Sequence, residues 1–285
     1  MKTSFTHRIP DFSQTEKPWV FSSCICREQH FHMPLYSYWC RLLKEQPRLH
    51  RKQWEFAYIC QTLFERGYLR EGQRAIGFGV GREPLVSLFA SYGIEVVATD
   101  LDTNEAAKLG WVDTQQHSNN IEVLNELGIC PPALFDENTS FRVVDMNRLP
   151  DDLGSFDICW SSCAFEHLGS IRKGLDFVLN SSRLLKPGGI AVHTTEFNLT
   201  SNTDTLDNNP GFVIFRKCDI ELLCRELEDE GFSVEPIDFS AGSDELEEYI
   251  DMPPYLDEPH LRLELAGKYV STSLGLIVRR EGIPD

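Results

Sequence analysis

From about residue 72 onward the chain alternates two hydrophobic patterns, short apolar runs and stretches whose apolar positions recur at helical spacing. Arg74 to Asp102 reads as strand, glycine turn, helix and second strand: Gly77, Gly79 and Gly81 form the turn, Pro84 opens the run Leu85, Val86, Leu88 and Phe89, and Ile94 to Thr99 closes on Asp100. Asn104 to Leu109 and Asn119 to Leu127 predict helices around the polar Thr114 to Ser118, and Pro131 and Pro132 break the pattern. Strands follow at Phe141 to Val144, running into Asp145 and Met146, and at Phe156 to Trp160, running into Ser161, Ser162 and Cys163. Ile171, Leu175, Val178 and Leu179 mark a helix that stops before the turn Lys186 to Gly189, and Ile190 to Thr195 is the next strand. Asn198 to Gly211 is polar and reads as a loop, and Asp219 is placed to N-cap a helix carrying Ile220, Leu222, Leu223 and Leu227. Ser233 to Phe239 and Tyr269 to Arg279 complete the strands, and unalternating apolar runs are those of strands buried on both faces. The pattern predicts a doubly wound α/β sheet with its ligand at the carboxyl ends of the strands.

Residues 1–70 are different. There is no glycine before Gly67, Pro34 and Pro47 bracket one helix, and Gln53 to Arg66 forms another, so this segment reads as a helical cap beside a domain spanning 71–285. Ala241 to Lys268, acidic and containing Pro253, Pro254 and Pro259, is an insertion long enough to serve as a lid or partner surface.

Charge narrows the partners. Lys and Arg number 27 against 44 Asp and Glu, a formal charge of −17, which gives phosphate-backbone binding no general support and disfavours nucleic acid. Nine cysteines without C-x-x-C spacing read as reduced thiols. No apolar run approaches the roughly 20 residues that span a bilayer, so the expected location is cytoplasmic, off the membrane. Cys24 and Cys26 with His30 and His32 match no common zinc spacing and read as packing, so no metal is expected.

Set side by side, the strand ends bring together the Gly77 to Gly81 turn, Asp100, Asp145 with Met146, Ser161 to Cys163, and His193 to Glu196. For a nucleoside ligand, Asp100 accepts from ribose hydroxyls, Asp145 accepts from an adenine amino group, and Met146 packs on the ring.

These residues resemble the class I S-adenosylmethionine-dependent methyltransferases. GFGVG is similar to the family's glycine motif, ATDLD to its ribose-binding strand end, VVDMN to its adenine-binding turn, and LLKPGG to the turn before its fifth strand. The resemblance implies a Rossmann-like, mostly parallel seven-stranded sheet with a C-terminal antiparallel pair, and S-adenosyl-L-methionine as cofactor. It implies cofactor contacts from Gly77, Phe78, Gly79, Gly81, Asp100, Leu101, Asp145, Met146, Ser161 and Ser162, and site roles for Glu166 and His167. The chain departs from the family at Ala75, where an acid often stands, which leaves backbone carbonyls to hold the methionine amino group.

Methyl transfer needs alignment and exclusion of water, and a hydroxyl acceptor also needs a base. An imidazole takes protons near working pH, so His167 is the first candidate, with Glu196 and His193 next. WSSC lacks the acid or amide, prolines and aromatic that amine methyltransferases of adenine or cytosine share, which with the acidic balance points to a small-molecule or glycan hydroxyl as acceptor. Two readings compete: a nicotinamide-dependent oxidoreductase, against which the G-x-G-x-G spacing counts, and a non-catalytic nucleotide-binding scaffold, which Ala75 favours.

Overall fold

The structure is a computed structural model, described here for residues 21–108, 117 and 120–282. Leu109 and the polar stretch from Thr114 lie outside the described residues, except for His117. The N-terminal segment contains strand β1 (Ser23–Ile25) and helices α1 (Glu28–Phe31), α2 (Pro34–Leu42) and α3 (Arg51–Glu65). Alternation follows: β2 (Arg74–Phe78), α4 (Leu85–Ser91), β3 (Glu95–Asp100), α5 (Thr103–Lys108), α6 (Pro132–Asn138), β4 (Thr139–Val143), β5 (Phe156–Ser162), α7 (Ile171–Ser182) and β6 (Leu185–Asn198). The chain ends with α8 (Lys217–Asp229), β7 (Phe232–Val234), β8 (Ile237–Asp238), α9 (Glu245–Glu248), β9 (Leu263–Leu265) and β10 (Tyr269–Arg280).

The strands form one sheet in the order β4-β3-β2-β5-β6-β10-β1-β8. The first five are parallel, and β10 runs antiparallel to β6 over most of its length. Among the described residues ten strands stand where seven were expected, because the far edge of β10 is shared by β7, β1 and β9 in succession, with β8 beyond β1. The strand expected over Ser233 to Phe239 is split into β7 and β8, and the three-residue β1 and β9 carry too little pattern to be read as strands. Three local expectations also change. Asp219 sits in the first turn of α8 rather than at its cap, and accepts from Arg216 N at 2.9 Å. Residues Ile121–Asn125 make a 3₁₀ helix in place of an α-helix. Lys186 to Gly189 is a bulge inside β6: Phe156 pairs with Leu185 and Ile158 with Ile190, so the intervening residues loop out, helped by Gly188 at φ +77°.

Both faces of the sheet are covered. Ala75, Val96, Ile158, Trp160 and Val192 belong to the apolar cluster under α2, α3 and α4, while their strand neighbours Ile76, Val97, Cys159 and Ala191 belong to the cluster under α7 and α8. This period-two division explains the uninterrupted apolar runs. No helix among the described residues is long and apolar enough to cross a membrane.

Helix α3 lies directly on β10, β6 and β5. A side chain at Gly275 would start 2.3 Å from the Tyr58 ring, so the glycine is what lets the helix approach. Gly275→Ala should therefore cost about 1–3 kcal/mol of stability through overpacking against a buried ring, measured by urea denaturation; unchanged stability would contradict this contact.

Candidate active site

The carboxyl ends of the parallel strands open on a cavity of ≈ 390 Å³. Gly79, Gly81, Asp100, Leu101, Asp145, Met146, Ser162 and His167 line it. The wall also includes residues the sequence did not single out: Glu45, Lys52 and Phe56 from the helical cap, and Arg82 and Glu83 after the glycine turn. The distance of two residues from Gly81 to an acid was the available signal for Glu83.

The glycine turn has a structural reason at each position. Gly79 and Gly81 take φ of +60° and +51°, and a Cβ at Gly79 would lie 3.0 Å from Ala164 Cβ and 3.4 Å from Met146 Sδ. Asp100 holds the turn from the next strand: its Oδ2 accepts from Gly81 N (3.0 Å), its Oδ1 accepts from Leu101 N (2.7 Å), and His117 Nδ1 lies 3.4 Å from Oδ1. Asp145 is exposed and accepts from Asn147 N (2.8 Å), with Met146 buried beside it. Gly77 and Phe78 are placed elsewhere. A Cβ on Gly77 would stand 2.3 Å from the Trp160 ring, and Phe78 packs edge-on against Phe177 at 5.2 Å on the far face of the sheet.

Strand alternation splits Ser161 from Ser162 and His193 from its neighbours. Ser161 pairs with His193 across β5 and β6, and Ser162 with Thr194. Ser161 and His193 face α7, where Ser161 Oγ lies 2.8 Å from His193 Nδ1 and the imidazole is edge-on to Phe165 and Phe177. The structure does not bring either to the cavity wall. Burial among these rings pulls the imidazole from 6.5 down to about 3.

Ser162 and Thr194 face α3, and both donate to Glu55 Oε2, at 3.1 and 2.9 Å. Ser273 Oγ donates to Glu55 Oε1 (2.5 Å), and Arg51 Nη1 lies 3.5 Å from the same oxygen. Arg51 Nη2 pairs with Glu196 Oε1, while Ser271 Oγ donates to Glu196 Oε2 at 2.6 Å. Burial pushes the Glu55 carboxyl up, but Lys52, Arg51 and the hydroxyls outweigh it and hold it below the ordinary carboxylate range. Glu196 is thus committed to Arg51 and Ser271. The i,i+4 pair Arg51 and Glu55 was visible as a helix pattern, but its burial was not.

Cys163 follows β5 at φ +49°, rare for a residue with a side chain, and lines the cavity. Atoms of Cys163, Glu166 and Glu196 that could ligate a cation lie within 4.8 Å of one another. Burial raises the Cys163 thiol well above its usual range and raises Glu166 too, so with Glu196 held by Arg51 the cluster reads as a hydrogen-bonded network. Thr195 Oγ1 donates to Glu166 Oε2 at 3.1 Å. His167 stands on the cavity wall with Nδ1 2.6 Å from Gly211 O, and since a carbonyl only accepts, Nδ1 is the donor of that bond.

A family model described as a methyltransferase domain matches residues 76–193. No curated protein matches the chain in sequence. Among solved structures, a protein of Galdieria sulphuraria provisionally named a sarcosine dimethylglycine methyltransferase aligns with TM-score 0.51 at 12% identity, over 87% of this chain and 99% of that one. The [4+2]-cyclase SpnF aligns with TM-score 0.53 at 16% identity, over 81% and 84%. At these identities the likeness is one of fold.

The environment of His193 has a measurable consequence. Between pH 6.5 and about 3 the unfolded chain binds a proton that the folded chain refuses, so stability falls as pH drops through that window. The residue contributes up to about 1.4 kcal/mol per pH unit. His193→Asn should flatten the dependence by that amount in denaturation curves at about pH 6 and 5; an unaltered slope would show that the imidazole is not held neutral.

Proposed function

The chain belongs to the class I S-adenosylmethionine-dependent methyltransferases, and from that premise we propose that it methylates a hydroxyl of a small-molecule acceptor, with His167 receiving the proton. S-adenosyl-L-methionine is the cofactor, and this excludes the nicotinamide reading. When bound it supplies an electrophilic methyl carbon open to direct displacement. The residues present fit it: the Gly79 turn lines the cavity without a side chain, and a buried carboxylate and a buried thioether flank it.

In this reading Asp100 accepts from the ribose hydroxyls while holding Gly81, Asp145 accepts from the adenine amino group, and Met146 packs on the base. Gly79, Gly81 and Leu101 form the floor, and Ser162 keeps its hydroxyl on Glu55. The observation that carries the base assignment is position. Of the three candidates, His167 is the one on the cavity wall, whereas Glu196 is engaged by Arg51 and His193 is sealed among aromatic rings. The helical cap, residues 1–70, and the 241–268 insertion would complete the acceptor side, consistent with Lys52 and Phe56 reaching the wall. A net charge of −17 supports a small acceptor over a polyanion.

A screen of small hydroxylated metabolites and sugars with labelled methyl donor tests the reaction, and transfer to amines alone would overturn the hydroxyl reading. Asp100→Asn should weaken cofactor binding by about 1.5–3 kcal/mol, read by calorimetry; undiminished affinity would remove Asp100 from the site. With the acceptor that the screen finds, His167→Ala should lower kcat while the cofactor Kd stays level. Equal turnover would discard His167 as the base.

A further inference from the structure

Among the described residues four carboxylates stand on the cavity wall: Glu45, Glu83, Asp100 and Asp145. The cofactor carries an α-ammonium at its amino-acid end, and a cation taken out of water needs an anion beside it. Three of the four are placed for other work. Asp100 is bonded to the backbone of Gly81 and Leu101, exposed Asp145 caps its own turn at Asn147, and Glu45 accepts from Gln53 Nε2 at 2.5 Å. Glu83 is 8% exposed, and its Oε1 accepts from Trp160 Nε1 at 2.6 Å.

The same tryptophan accounts for Ala75. Ala75 and Trp160 belong to one apolar cluster on one face of the sheet, and the indole is wedged against Gly77, where no Cβ fits. A carboxylate at position 75 would be enclosed in that cluster, with the indole next to it. The indole N–H instead fixes an acid that comes from the far side of the glycine turn.

We propose that Glu83 binds the α-ammonium of the cofactor's amino-acid end, with Trp160 as the positioning residue that holds the carboxylate at the cavity wall. The proposal rests on the methyltransferase reading of the cavity. Burial pushes the Glu83 carboxyl up to about 8; Glu55 of α3 and Asp100 of β3 add to the rise, and the Trp160 N–H and Lys52 of α3 oppose it. Without ligand the group is mostly protonated at neutral pH, and an ammonium placed against it favours the carboxylate, so binding expels a proton.

The test is calorimetry at pH about 7, in two buffers of different ionisation enthalpy, with S-adenosylhomocysteine and its analogue lacking the α-amino group. Wild-type protein should prefer the amino form by about tenfold or more and release close to one proton on binding it. Glu83→Gln should bind the des-amino analogue as wild type does, lose the preference and lose the proton release. Trp160→Phe, which keeps an aromatic ring and removes the N–H, should reduce the preference and leave des-amino affinity level. A Glu83→Gln protein that retains the preference overturns the proposal, as does one that binds neither ligand, since Glu83 would then maintain the cavity's shape. Wild-type protein that binds both ligands equally sinks the Glu83 assignment but leaves the cofactor reading standing. Wild-type protein that binds neither removes both.

Discussion

The site depends on how α3 is attached to the sheet. Glu55 is fully buried in the middle of that attachment, and an isolated carboxylate there would cost several kcal/mol. It is tolerated because Arg51, Ser162, Thr194 and Ser273 all converge on it, from one helix and three strands. Arg51 in turn neutralises Glu196. Such a network adds little net stability compared with apolar packing, but it penalises every other register of α3 on β5, β6 and β10, because a shift would strand a buried charge. The helix is thereby fixed in the one seating that delivers Lys52 and Phe56 to the cavity.

A second constraint acts within the sheet. Asp100 bonds the glycine turn from the neighbouring strand, so the shape of the cavity floor is set by the parallel register that pairs Phe78 with Thr99. Gly77 serves the same end indirectly by admitting Trp160, and the indole reaches Glu83 on the other side of the turn. Cavity floor and hydrophobic core are thus one construction, and substitutions in either will be felt in the other.

The features of this architecture that were legible in the sequence are those whose logic is local. GFGVG, ATDLD and VVDMN each complete a turn within a few residues, and the parallel strands announce themselves as apolar runs. The rest depends on pairing. His193 and Glu196 stand three apart in HTTE, and alternation sends them to opposite faces, one into aromatic rings and the other onto Arg51. Without the register, neither could be separated from His167 as a base. Strand β1 is three residues long and exists because β10 offers an unpaired edge, so its own composition could not disclose it.

The fold is shared with a [4+2]-cyclase, so the fold alone does not define the chemistry. A cavity of ≈ 390 Å³ lies near the low end of ligand sites. Specificity then falls to the segments that hold the surrounding side chains in place. Gly211, from the loop after β6, fixes the His167 ring. The 241–268 insertion is tied to the start of α3: Arg51 N donates to His260 O, His260 N donates to Leu49 O, and the His260 ring stacks on His50 at 4.4 Å while bonding Asp251 at 2.6 Å. Since Arg51 also pairs with Glu196 and stands on α3 beside Lys52 of the cavity wall, the insertion and the cavity share one helix, and changes in the insertion can reach the wall without touching the glycine turn.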